Sequence, residues 1–78
     1  MSLFRNNQKQ VANSLGEVAW EAAWNAARAA GKSFGEAESI AERAREAAYI
    51  DARDCQFRHR VLPTAAEVAD AARKALAK

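Results

Sequence analysis

The sequence predicts an all-α protein of three helices, an antiparallel helical hairpin over about residues 4–30 and 34–59 that is closed by a shorter third helix over residues 64–77. The first observation behind this prediction is composition, because 21 of the 78 residues are alanine and only three glycines and one proline interrupt the chain. Alanine has the highest intrinsic helix propensity. The second observation is a set of helix-capping sequences, and the third is the helical spacing of the apolar residues. Together they predict one helical domain over residues 1–78.

The first helix is predicted from a single apolar stripe. Its members recur at spacings of three, four or seven residues: Phe4, Val11, Leu15, Val18, Ala22, Ala26 and Ala29. The stripe runs through Gly16, although Ser14 and Glu17 have the spacing of a capping box that would start a new helix there. An interior glycine costs only about 1 kcal/mol relative to alanine, so one continuous helix explains the stripe better than a break does.

Capping boxes mark the starts of the second and third helices. In SFGE (33–36) and TAAE (64–67) the hydroxyl accepts a hydrogen bond from the first turn, and the glutamate accepts one from the residue that carries the hydroxyl. Gly31 is a typical residue just beyond a helix end, and Pro63 disfavours helix at the residue before it. The sequence therefore predicts two short connections between the three helices.

Small residues dominate the predicted helix faces, so the helix axes are expected to approach closely and form a tight hairpin. The larger apolar residues in the connections are Phe34, Val61 and Leu62. We expect these three side chains to close the ends of the bundle.

Charge and cysteine content exclude several classes of protein. A net charge of +2 creates no strong field for a polyanion. The single cysteine, Cys55, excludes an internal disulfide and fits a reducing compartment. No apolar run approaches the roughly 18 residues of a membrane span. The sequence predicts a cytoplasmic protein that has no membrane partner and needs no cofactor.

Two tryptophans lie on a second face of the first helix. Trp20 and Trp24 are one turn apart and point away from the apolar stripe, on the same side as Ala23 and Ala27. One explanation is that the third helix covers this face. Another is that it is exposed and binds a different protein or a second copy of the chain in a homodimer. A ligand pocket is the weakest explanation, because no polar residues converge on the two rings.

One group of residues resembles a metal or catalytic site. Asp51, Cys55 and His59 recur every four residues, so on a helix they would share one stripe. A tetrahedral site normally also takes a ligand from another element, and the sequence contains no other cysteine or histidine. A cysteine nucleophile would need an orienting group and oxyanion donors, which the sequence does not supply. We therefore expect no metal site and no enzymatic activity.

Arginines crowd the predicted end of the second helix and offer an alternative function. Arg53, Arg58 and Arg60 could contact the phosphates of a nucleic acid. Cations at a helix C-terminus also interact favourably with the helix dipole, which accounts for part of this charge without a ligand.

The favoured function is that of a small, non-enzymatic protein–protein interaction module. Its predicted partner-binding residues are Trp20, Trp24, Ala27, Arg53, Arg58 and Arg60. In size and style the chain resembles the small inhibitors that phages and mobile elements encode, including anti-CRISPR proteins and antitoxins. That resemblance implies inhibition by occluding or mimicking a binding site. Mimicry of a nucleic acid would use acidic residues, namely Glu36, Glu38, Glu42 and Glu46.

Overall fold

The computed structural model describes residues 3–77, with side chains from residue 7 to residue 76. It contains the helices α1 (Leu3–Ala29), α2 (Phe34–Phe57) and α3 (Ala65–Ala77). α1 and α2 pack closely as an antiparallel hairpin, and the shorter α3 packs on α1. The predicted fold class is therefore confirmed. The bundle is elongated and measures 46 × 19 × 15 Å.

α1 continues through Gly16, as the apolar stripe predicts. The structure also shows what this glycine does. A Cβ atom at Gly16 would lie 3.1 Å from the Arg45 Cγ atom and 3.3 Å from the Arg45 carbonyl oxygen. Both separations are tighter than ordinary van der Waals contact, so the missing side chain lets α1 and α2 approach closely at this point.

The core is built almost entirely from alanine. Eight of the ten buried apolar side chains described are alanine, and the set is Ala12, Leu15, Ala19, Ala23, Ala27, Ala37, Ala41, Ala52, Val68 and Ala72. Alanine lets the helices pack closely but removes little apolar area from water. Larger side chains, among them Trp20, Trp24, Ile40 and Tyr49, pack around this core and are only partly buried.

The turn between α1 and α2 is formed by well-defined caps. Beyond α1, Gly31 adopts a positive φ of 87° and its N–H donates to the Arg28 carbonyl at 3.0 Å. The N–H of Lys32 donates to the Ala27 carbonyl at 3.0 Å, which completes a Schellman motif. Ser33 then starts α2 with a full capping box.

The start of α3 is capped in the same way. The Thr64 N–H donates to Glu67 Oε1 at 2.9 Å, and the Glu67 N–H donates to the Thr64 hydroxyl at 3.1 Å. Both boxes that the sequence predicts as helix starts are therefore present.

The connection between α2 and α3 differs from the prediction in two respects. α2 ends at Phe57, and His59 lies beyond it with a positive φ of 57°. Val61 does not close the end of the bundle, because 93% of its surface is exposed. Leu62 does pack against the core.

Phe34 also differs from the prediction. It is the first residue of α2 and is 67% exposed, so it lies at the edge of the bundle instead of filling its end.

Candidate partner-binding site

The two tryptophans form a stack on the surface of the hairpin. The ring centroids of Trp20 and Trp24 are 5.4 Å apart, and the ring planes differ by 10°. Phe34 meets Trp24 edge to face, with centroids 5.0 Å apart and planes at 75°. We refer to Trp20, Trp24 and Phe34 as the aromatic face. Such offset and edge-to-face pairs are the arrangements that aromatic rings prefer.

The helical hairpin positions these rings. Trp20 and Trp24 are four residues apart on α1, which places one side chain above the other. The tight turn then brings the first residue of α2, Phe34, alongside Trp24. Arg28 stabilises the same corner, since its guanidinium carbon lies 4.6 Å from the Phe34 ring centroid and its Nη1 donates to the Lys32 carbonyl at 2.8 Å.

The aromatic face is only partly covered. Trp20 and Trp24 are half-buried and pack against the core, while Phe34 is largely exposed. The hydrogen bond of Trp20 and the edge-to-face contact of Trp24 are both made with α2, and among the described side chains no hydrogen bond or ring–ring contact joins either tryptophan to α3. Ala27 is completely buried. This alanine therefore presents no surface of its own to a partner.

A network of polar contacts holds the indole of Trp20 in place. Its Nε1–H donates to Glu42 Oε2 at 3.2 Å, and Arg45 donates to the other carboxylate oxygen of Glu42. Arg45 also lies 3.5 Å from the carboxylate of Glu17. The hydrogen bond from Arg45, followed by the one from Trp20, lowers the pKa of Glu42. The same contact with Glu42 raises the pKa of Arg45.

The arginines at the other end of α2 make separate contacts. Arg53 donates to Gln56 Oε1 at 3.0 Å and is partly buried. Arg58 donates to Asp54 at 3.0 Å, so its charge is already paired within α2. Arg60 lies in the connection after the helix and lines a shallow groove at that end of the bundle. Two of the three are thus engaged within the chain.

At this end the sequence assigns no role to Phe57 and predicts that Val61 closes the bundle, yet both apolar side chains are exposed. Phe57 is 84% exposed and Val61 is 93% exposed. Phe57 follows Ala48 by nine residues, which places it about half a turn from the core stripe of α2. The outward position of Phe57 was therefore predictable from its spacing to the core stripe, whereas the exposure of Val61 depends on the path of the connection between α2 and α3.

The groove between α2 and α3 offers little chemistry. An apolar groove of about 300 Å³ separates α2 from α3, with walls formed mainly by alanines. Its two carboxylates are Asp51 and Glu67, and Glu67 is engaged in the cap of α3. Among the described residues, no group of three histidine, cysteine, aspartate or glutamate side chains is arranged to hold a metal ion.

Fold and surface together define a small three-helix protein with one aromatic face. Within residues 3–77, no helix has the length and apolar character needed to cross a membrane. No protein-family model matches the sequence, and no curated protein and no solved structure matches it either.

Proposed function

We propose that this chain is a small, non-enzymatic protein-binding module and that its aromatic face is the surface that contacts the partner. The observation that carries the proposal is the exposure of Phe34 beside two half-buried, stacked tryptophans. Tryptophan is enriched among the residues that contribute most to binding energy at protein interfaces. A contiguous aromatic surface of this kind is the feature of the molecule that best fits recognition of another protein.

The aromatic face is also rigid, which favours binding. The Schellman motif at Gly31 and the capping box at Ser33 fix the turn that carries Phe34, and Glu42 holds the indole of Trp20. A surface that is ordered before binding loses less conformational entropy when a partner arrives. At the opposite end Arg58 is ion-paired with Asp54 and Arg53 is hydrogen-bonded to Gln56. These contacts make that end less suited to phosphate, so protein binding is favoured over nucleic-acid binding.

The proposed mode of action is inhibition by occlusion. A chain of 78 residues with a rigid binding face can block a partner's own binding site simply by covering it. As part of the same proposal the protein acts in the cytoplasm, which the free thiol of Cys55 supports.

The test is a selection of displayed random peptides on the immobilised chain, repeated with Phe34→Ser and with Phe57→Ser. Both substitutions remove an exposed phenylalanine, but only the first alters the aromatic face. We expect enriched peptides that lose binding to Phe34→Ser and keep it with Phe57→Ser. Circular dichroism on both variants checks that the helices persist.

Two outcomes would overturn the proposal. One is the absence of peptides that depend on Phe34, combined with nucleic-acid binding at low salt that Arg60→Gln weakens; that result would favour the alternative function. The other is a dimer, detected by light scattering, that Phe34→Ser converts to monomer. In that case a second copy of the chain already covers the aromatic face.

A further inference from the structure

Two rows of carboxylates border the aromatic face. On α1, Glu17 and Glu21 are one turn apart, and helical spacing places them on the solvent side of the tryptophans. On α2, Glu42 accepts the hydrogen bond from Trp20, and Glu38 lies one turn closer to Phe34. The exposed rings are therefore bounded by acidic groups on both helices.

The cations near these rows leave part of the acidity unpaired. Arg45 bridges one carboxylate of each row, and Arg28 lies on the ring of Phe34. Within the part of the chain whose side chains are described, neither Glu21 nor Glu38 forms an ion pair. Both are exposed. The aromatic face thus carries a local excess of negative charge in a chain whose net charge is +2.

One other arginine on α2 has to be considered. Arg43 follows Glu42 directly, and this single step turns its side chain by about 100° around the helix. It lines a shallow groove together with Glu38 and Glu42, so its charge offsets part of the acidity of this row. Among the described side chains no ion pair joins Arg43 to either carboxylate, and the four glutamates of the two rows still outnumber Arg28, Arg43 and Arg45.

The chain itself shows how the aromatic face accommodates a guanidinium group. The guanidinium carbon of Arg28 lies 4.6 Å from the centre of the Phe34 ring, within the range of a cation–π contact. We propose that the partner presents an arginine side chain that stacks on this face and pairs with Glu38. Arginine fits better than lysine, because its planar group can stack on a ring and bind a carboxylate through two hydrogen bonds at once.

This inference rests on the proposed function, since it specifies the chemistry of the partner that the aromatic face binds. It requires the aromatic rings and the carboxylate rows together. Aromatic surface alone would bind apolar side chains, whereas carboxylates alone would attract any cation without selecting its shape.

The test follows the two indole N–H signals of the ¹⁵N-labelled chain by NMR, one for each of its two tryptophans. The probe is a short peptide of alternating glycine and arginine, and its control is the same peptide with citrulline, which keeps the shape but lacks the charge. We expect the arginine peptide to shift both indole signals to saturation. The citrulline peptide is expected to bind about tenfold more weakly.

Variants then locate the contact. Glu38→Gln should weaken the arginine peptide about threefold or more, in the range of one exposed ion pair. Asp51→Asn removes the same charge from the other side of α2 and should leave the affinity unchanged.

The inference is overturned by three results: no indole shift, equal shifts with the citrulline peptide, or equal weakening by Asp51→Asn and Glu38→Gln. Each of these leaves the proposed function standing if the displayed peptides still require Phe34. If the arginine peptide fails to bind and no displayed peptide requires Phe34, the aromatic face is not a binding site.

Discussion

The turns before and after α2 contain the same backbone motif, but the side chains beside them behave in opposite ways. At the turn before α2, Gly31 occupies the left-handed position of a Schellman motif; after α2, His59 occupies it. At the first end, Phe34 packs against Trp24 and carries the guanidinium of Arg28. At the second end, Phe57 projects from the bundle and is 84% exposed.

The difference shows that the turn before α2 is stabilised by its own residues more than the turn after α2 is. Glycine adopts a positive φ without steric cost, whereas a residue with a Cβ is strained there by about 1–2 kcal/mol. The turn that supports the aromatic face therefore combines an unstrained cap with aromatic packing. The far end holds the same backbone geometry against strain and gains little from the apolar groups next to it.

The largest effect is expected from Gly31→Val, which makes the first end resemble the second. No atom lies within 4 Å of a Cβ added at Gly31, so the cost comes from backbone strain alone. For a β-branched residue at a φ of 87° we expect a loss of about 2 kcal/mol in the free energy of unfolding, measured in urea. Gly35→Ala is the matched control, since that position is equally open and has no positive φ. A comparable loss in the control would show that the positive φ at Gly31 is not the cause of the loss in stability.

The reverse exchange, His59→Gly, should stabilise the protein. Relief of the left-handed strain exceeds the greater flexibility that glycine gives the unfolded chain, so we expect a net gain of about 0.5–1 kcal/mol. For a domain of this size that corresponds to a rise of about 2–8 °C in the melting temperature. His59→Ala keeps the Cβ and should give no such gain. Equal gains from both variants would assign the effect to loss of the imidazole.

The two exposed phenylalanines provide a third test of the comparison. Phe34→Ser removes an aromatic pair and a cation–π contact, so we expect a loss of about 1 kcal/mol in unfolding free energy. Phe57→Ser should change stability by less than about 0.5 kcal/mol, as a surface substitution does. Thermal unfolding of both variants measures the difference. Equal losses would mean that Phe57 packs against the bundle in solution.

The helices were predictable because their signals are local. Alanine content, the capping boxes at Ser33 and Thr64 and the apolar stripe through Gly16 each depend on residues within a few positions of one another. The role of Gly16 was not predictable, since it depends on the approach of Arg45 from another helix. The end of α2 was placed at residue 59 because nothing in the sequence marks His59 as left-handed.

The candidate site was predictable only in part. The spacing of Trp20 and Trp24 indicated a second apolar face, and the structure shows them stacked there. The sequence grouped Ala27 with that face because a helical wheel gives direction but not depth, and this alanine is completely buried in the fold. Phe34 was assigned to an end of the bundle, since its contact with Trp24 depends on the geometry of the turn.

The smallest effect we predict is a difference in pH dependence between the contacts in the two halves of the hairpin. Near the turn, α1 and α2 are joined by the hydrogen bond from Trp20 to Glu42; near the far end they are joined by Gln56, whose amide donates to the Gln8 carbonyl at 2.8 Å. Only the first contact involves a titratable group. The hydrogen bonds from Arg45 and Trp20 lower the pKa of Glu42 below its ordinary value of 4.5, so this contact stabilises the fold above pH 4.5 and is lost as the pH falls through the lowered pKa.

NMR spectra recorded between pH 6 and pH 2 can follow both contacts in one sample. The indole N–H signal of Trp20 should titrate with a midpoint below pH 4.5, while the side-chain amide signal of Gln56 stays in place. Arg45→Gln should raise that midpoint, and Trp20→Phe should raise the pKa of Glu42 by less, because the hydrogen bond from Arg45 is the larger cause of the shift. If both signals move together, acid opens the hairpin as a whole, and the turn is no more dependent on charge than the far end.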